Sequence, residues 1–234
     1  MAREREIKIE LHIPLETFIG RIKESGFEKE KEISQRDHYF DTLDWRLYKT
    51  AAAFRIRQVN GKDHSFAFKK MFCLPKKHDR LYIEEIEGGL PVADRDKLDY
   101  IFKRLGVDDK SLELSNGESL AKILSENGFQ GEQILAKTRQ IFKNGQEDEI
   151  VVDDVENVGT IVELECQNDE PLDFAGTILK DDEWSRSVLG TSYIWLEKVK
   201  GFTDYLEYQT RFDKNPEWNV WENEKEIYEH FLSE

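Results

Sequence analysis

Long apolar runs are missing from this chain of 234 residues, and so is any excess of positive charge. No uninterrupted apolar stretch approaches the ~18 residues of a membrane-spanning helix, and the charged first residues hold nothing like the apolar centre of a secretion signal. Cysteine is scarce. Cys73 and Cys166 stand far apart with no neighbours at metal-ligand spacing, so the expectation is a thiol-reducing cytoplasm without a disulfide framework. The five histidines (His12, His38, His64, His78, His230) share no motif and are read as ordinary residues. Lysine and arginine number 34 against 49 aspartates and glutamates, a net charge of -15. That balance argues against a general nucleic-acid or anionic-membrane surface. It leaves room for a small polyanion in a local basic pocket, provided the basic residues are focused and divalent metal on acidic residues assists.

What the chain does have is 38% apolar residues, enough for one substantial domain or two small ones, and a strand pattern that recurs. In the stretch from Glu4 to Ile13, Glu4, Glu6, Lys8, Glu10 and His12 fall on one face, and Ile7, Ile9, Leu11 and Ile13 on the other. A half-buried strand with its charges in water reads the same way. The pattern returns in later strands. Arg55 and Arg57 oppose Phe54 and Ile56, and Ala67 and Lys69 oppose Phe66 and Phe68. Ile83, Glu85 and Glu87 oppose Tyr82, Glu84 and Ile86. Lys137 and Arg139 share a face with Leu135 and Ile141. Asp153 shares one with Glu149 and Val151, against Ile150 and Val152, and Glu163 and Glu165 oppose Val162 and Leu164. Lys70 has the opposite parity to Lys69 and is expected in solvent. Asn60-Gly61, Asn144-Gly145 and Asn157 to Gly159 supply turns.

Helical spacing appears at Leu15 to Ile22, at Val92 to Leu105 before Gly106, at Leu120 to Leu124, near Leu172 to Leu179 and around Ser192 to Leu196. Asp108 to Gly117 reads as a polar insertion. The apolar stripes of these helices need an apolar wall to cover, so the aliphatic strand faces should turn toward them. The charged faces then line the middle of a curled antiparallel sheet. Two arginines side by side on such a face require an anionic partner, and the guanidinium fork suits phosphate oxygens. Ionised groups there must be hydrated, mutually paired or filled by ligand, and carboxylates without His or Cys suit Mg, Mn or Ca better than zinc.

Several motifs resemble one family. Glu4-x-Glu6-x-Lys8, the segment Asp37-His38-Tyr39-Phe40-Asp41-Thr42, Arg55-x-Arg57 with Lys69, and the hairpin carrying Asp153, Gly159, Glu163 and Glu165 are similar to the signature of CYTH domains, the triphosphate tunnel metalloenzymes. The resemblance covers about residues 3 to 200, a domain spanning 1-200 with an aromatic-rich helical extension over 201-234. Ile83 departs from it by standing where the family has an arginine. The resemblance implies an α+β fold, a closed or nearly closed antiparallel eight-stranded β tunnel with a charged interior and helices packed outside. It implies Mg²⁺ or Mn²⁺ held by Glu4, Glu6, Asp153, Glu163 and Glu165, with Glu85 contributing. It places Lys8 at the catalytic position, and Arg55, Arg57, Lys69, Lys137 and Arg139 around the phosphates. The implied activity is metal-dependent hydrolysis of a triphosphate (inorganic, thiamine or nucleoside). A class IV adenylyl cyclase and a non-catalytic polyphosphate or nucleotide binder are the alternatives. The expected partner is a small-molecule triphosphate, and the tail aromatics Trp218, Trp221, Tyr228 and Phe231 either pack on the outside of the sheet or contact a second copy of the chain.

Overall fold

The computed structural model describes residues 6–73, 81–108, 116–145, 148–165, 171–187, 191–202, 220–226 and 228–229. Glu4, Cys166, Trp218 and Phe231 lie outside them. The strands are β1 (Glu6–Leu11), β2 (Glu28–Thr42), β3 (Ala52–Val59), β4 (Lys62–Cys73), β5 (Leu81–Gly89), β6 (Phe129–Lys143), β7 (Glu149–Val155), β8 (Gly159–Glu165) and β9 (Trp184–Ser187). The helices are α1 (Leu15–Glu24), α2 (Arg46–Lys49), α3 (Arg95–Leu105), α4 (Gly117–Glu126), α5 (Pro171–Ile178) and α6 (Thr191–Lys200). The strands hydrogen-bond in the order β5-β4-β3-β2-β6-β7-β8-β1-β9, and the pairs β1 to β8, β3 to β4, β4 to β5, β6 to β7 and β7 to β8 are antiparallel. The fold is therefore α+β and its sheet antiparallel, as expected, with nine strands among the described residues rather than eight. The ninth, β9, is a short polar segment paired with β1, and it carries no alternation from which a strand could be read.

The chain divides into two compact units, one of Met1–Gln35 with Leu135–Phe202, the other of Arg36–Ile134 with Thr203–Glu234. In the first unit, cross-strand register sets Ile7 against Leu164 and Leu164 against Ile150, and sets Ile9 against Val162 and Val162 against Val152. These residues are buried together with Phe142, with Phe18 and Ile22 of α1 and with Ala175 and Ile178 of α5. Each such side chain contributes roughly 1.5–3 kcal/mol by leaving water. A slip of one residue would turn the whole set outward, so the register is strongly held.

In the second unit the rows are Phe54, Phe68 and Ile86, then Ile56, Phe66 and Gly88. Leu98, Ile101, Phe102 and Leu105 of α3 and Leu120, Ile123 and Leu124 of α4 close over them. Gly88 has no substitute, because a Cβ there would meet the Phe66 ring at 2.3 Å. The β3–β4 hairpin turns at Asn60 and Gly61 with φ of 51° and 76°, the left-handed pair that such a turn requires. Helix α3 starts at Arg95, later than Val92, because the Asp94 side chain accepts the Lys97 N–H. Helix α4 starts at Gly117 because Asn116 and Ser119 form a reciprocal capping box. The short α2 has no periodic pattern to reveal it. It is tied instead by Asp41, whose carboxylate accepts the N–H groups of Leu47 at 2.8 Å and Tyr48 at 2.9 Å.

Lys70 corrects the sequence expectation. Its parity does put it on the face opposite Lys69, but that face is the covered one, and its side chain is fully buried. Its Nζ donates to Thr50 O at 2.8 Å, stands 4.2 Å from the centre of the Trp221 ring, and lies 3.7 Å from the equally buried Glu224. Arg104 Nε donates to the other Glu224 oxygen at 3.0 Å, and Arg104 Nη1 reaches Glu84 at 2.6 Å. Two cations and two carboxylates thus cancel, with Trp221 donating from Nε1 to Thr50 Oγ1 at 3.1 Å. The described part of the C-terminal extension packs on β4 of its own unit, with Trp221 against Phe68 and Tyr228 against Phe72. Removing Glu224 would leave Lys70 and Arg104 buried without their shared anion. Glu224→Ala is expected to lower unfolding free energy by about 3–5 kcal/mol in urea titrations, and a loss below about 1 kcal/mol would contradict this role.

Candidate functional site

With the aliphatic rows sealed against helices, the alternate residues of the same strands share the other face. In the first unit, Glu6 and Glu149 both lie opposite Glu165 in register, and Lys8 lies opposite Glu163. Arg139 of β6 lies opposite Asp153 of β7. Carboxylate positions side by side on one face repel unless a cation joins them. Here cations do. Asp153, fully buried, accepts from Arg139 Nε at 2.7 Å and Nη2 at 2.6 Å, and from Lys137 Nζ at 2.5 Å. Arg139 Nη2 also donates to Glu163 at 3.2 Å, and Lys8 Nζ stands 3.4 Å from Glu163. Burial alone would raise the Glu163 pKa, but Arg139, Lys8 and Lys137 bring it down to about 2. The same burial lowers the pKa of Lys137, against the pull of Asp153.

In the second unit, Arg55 and Arg57 of β3 face Asp37 of β2. Arg57 Nε donates to Asp37 Oδ1 at 2.6 Å and Nη2 to Oδ2 at 2.7 Å, while Arg55 Nη1 lies 3.7 Å from Oδ2. Burial works against the Arg55 charge, yet Tyr39 and Asp37 outweigh it and its pKa is raised. Lys69 and Glu85 lie opposite each other and pair at 2.7 Å on a more exposed part of the same face.

Of the residues singled out in the sequence, Lys8, Lys137, Arg139, Asp153 and Glu163 come together in the first unit, and Arg55 and Arg57 in the second, with Lys69 and Glu85 paired nearby. Glu165 takes its place in register with Glu6 and Glu149. Glu4 is outside the described residues, and for Glu6 only the backbone is described. Phe40 packs against Phe54 as a core residue, edge to face at 6.2 Å. Asp37, quoted in the sequence only as part of the Asp37 to Thr42 motif, is the residue that received no site role there. Two neighbouring arginines demanded an anion, and a buried acid at the right parity in Asp37-x-Tyr39 was the signal for it.

Among the described residues no three of His, Cys, Asp and Glu already gather as a metal-holding group. The donor chemistry nevertheless suits a hard divalent cation, since Glu163 is held ionised and the next register row, Glu165 with Glu6 and Glu149, is all carboxylate without His or Cys. Also among the described residues, no helix is long and apolar enough to cross a membrane.

The sequence model of the CYTH domain matches residues 2–181. No curated protein matches the chain. Among solved structures, HpAC1 of Hippeastrum, a candidate adenylyl cyclase with a dominant triphosphatase activity, is 20% identical, with a TM-score of 0.51 over 82% of this chain and 95% of that one. A candidate adenylate cyclase of Vibrio parahaemolyticus is 15% identical, with a TM-score of 0.50 over 82% of this chain and 98% of that one. At these identities the likeness is one of fold.

The depressed Glu163 pKa has a consequence for stability. A carboxylate whose folded pKa lies below its unfolded value stabilises the fold above the unfolded value, near 4.5, and that contribution is lost as pH falls through about 2. In metal-free protein, the stability difference between wild type and Glu163→Gln should be constant near neutral pH and shift in Gln's favour between about pH 4.5 and 2. Parallel pH–stability curves for the two proteins would contradict the assignment.

Proposed function

The chain belongs to the CYTH domain family, and we propose that it is a divalent-metal-dependent triphosphatase acting on inorganic triphosphate, thiamine triphosphate or a nucleoside triphosphate. The observation that carries this reading is the gathering of Lys8, Lys137 and Arg139 around Asp153 and Glu163 on one strand face. Focused cations there suit phosphate oxygens even on a chain of net charge -15. The triphosphatase activity described for the Hippeastrum protein supports the same reading.

Arg139 and Arg57 offer planar forks for two phosphate oxygens at once, and Lys8 and Lys137 act as compact positive charges. Asp153 accepts from Lys137 Nζ and so works against the burial that lowers the Lys137 pKa. Glu163 and Glu165, with Glu4 and Glu6, would hold Mg²⁺ or Mn²⁺. When bound, the ion supplies a Lewis acid that polarises the phosphoryl group and neutralises its charge. The surrounding cations hold the triphosphate chain in line and stabilise charge on the leaving diphosphate, which is most of what phosphoryl transfer asks of a protein.

Phosphorus NMR of the purified protein with inorganic triphosphate, thiamine triphosphate and ATP, each with Mg²⁺ or Mn²⁺, should show orthophosphate released from at least one. Pyrophosphate with cyclic AMP from ATP would replace the hydrolase reading by a cyclase. Tight binding without product would replace it by a non-catalytic binder. In the same assay, run below the variant's melting temperature, Arg57→Ala should cut turnover at least about a hundredfold, the scale of one preorganised electrostatic donor. Near-normal turnover would remove Arg57 from the site.

A further inference from the structure

We propose that Asp37 is a positioning residue, which orients Arg55 and Arg57 as a two-arginine clamp for phosphate oxygens. The inference deepens the reading above and rests on it for the identity of the ligand. Arg55 and Arg57 lie two residues apart on one strand face, so their guanidinium groups repel and would splay if nothing held them. Asp37 is 1% exposed, and both its oxygens take the Nε/Nη2 edge of Arg57, a bidentate pairing that fixes the plane of the guanidinium as well as its place. One of those oxygens also lies 3.7 Å from Arg55 Nη1. Two cations on one carboxylate leave the group with a net charge of +1, which still attracts an anion. Arg55 Nε is moreover a buried donor without a protein partner, the kind of group that a ligand oxygen satisfies.

The first unit repeats the device independently. Asp153 is fully buried and takes the matching edge of Arg139 together with Lys137, again two cations two residues apart. In both units one buried aspartate on a neighbouring strand gathers the cation pair. The alternative is that Asp37 merely neutralises excess charge, and the two differ in sign. If Asp37 only neutralises, removing its charge makes the site more positive and tightens anion binding. If it orients the clamp, removal weakens binding although the site gains positive charge.

The test is calorimetric titration of the full-length, metal-free protein with inorganic tripolyphosphate, comparing wild type with Asp37→Asn and Asp37→Glu, alongside NMR of the arginine Nε–H groups. Asp37→Asn is expected to bind about tenfold or more weakly when compared below its melting temperature, which falls because Arg57 loses its buried anionic partner. Asp37→Glu keeps the charge but displaces the carboxylate by one methylene, and should weaken binding similarly. It decides the matter if the asparagine variant does not fold. Affinity equal to or tighter than wild type in a folded variant overturns the proposal. Should wild type bind no tripolyphosphate even after Mg²⁺ is added, the triphosphatase reading fails, and the Nε–H signals still decide the role of Asp37. Arg57 and Arg55 signals that both move in the variants support a shared clamp, and an unmoved Arg55 signal overturns it.

Discussion

Ile9, Val162 and Val152 lie in one cross-strand row sealed from water, and that row decides which way Lys8, Glu163 and Asp153 can point. Strand geometry allows no compromise, because neighbours along a strand take opposite faces. Once the aliphatic row packs under α1 and α5, every intervening charge shares the remaining face. Phe54, Phe68 and Ile86 impose the same choice in the second unit, under α3 and α4. The hydrophobic effect thus brings the ionised groups together, at an electrostatic cost that they settle among themselves.

That settlement takes the same form in three places. Asp153 gathers Lys137 and Arg139, Asp37 gathers Arg57 and approaches Arg55, and Glu224 joins Lys70 to Arg104. Buried charges of one sign persist only where the other sign and good hydrogen bonds accompany them. The first two clusters each share a strand face with the candidate ligands of their own unit. The third lies on the covered face of β4 and secures the C-terminal extension. Net charge over the whole chain conveys none of this, since it does not say which charges meet.

Much of this was legible in the sequence because period-two alternation reports faces directly. The residues opposite Phe54 and Ile56, or opposite Val162 and Leu164, had to lie together whatever the fold's details. Lys70 shows the limit of that logic. Its parity was read correctly, but whether the other face is wet or covered depends on α3 and on residues such as Trp221 and Glu224, far along the chain. Asp37, quoted only within its motif, drew no site role for a related reason, since an acid in a mixed polar strand looks solvated until its arginine partners on β3 are placed beside it. Strand β9 and helix α2 are too short and too polar to leave a periodic mark, and the start of α3 was set by the side chain of Asp94 rather than by the apolar stripe.

The central claim is that these inward-gathered cations and carboxylates serve a metal-bound polyphosphate rather than only one another. The most direct measurement is a crystal structure of the protein grown with tripolyphosphate and Mn²⁺, with the ion located by its anomalous signal. The account predicts phosphate oxygens bonded to Lys137 and Arg139, with Mn²⁺ on Glu163 and Glu165. Tripolyphosphate lying elsewhere, with the Asp37 and Asp153 clusters unchanged and without ligand, would contradict it.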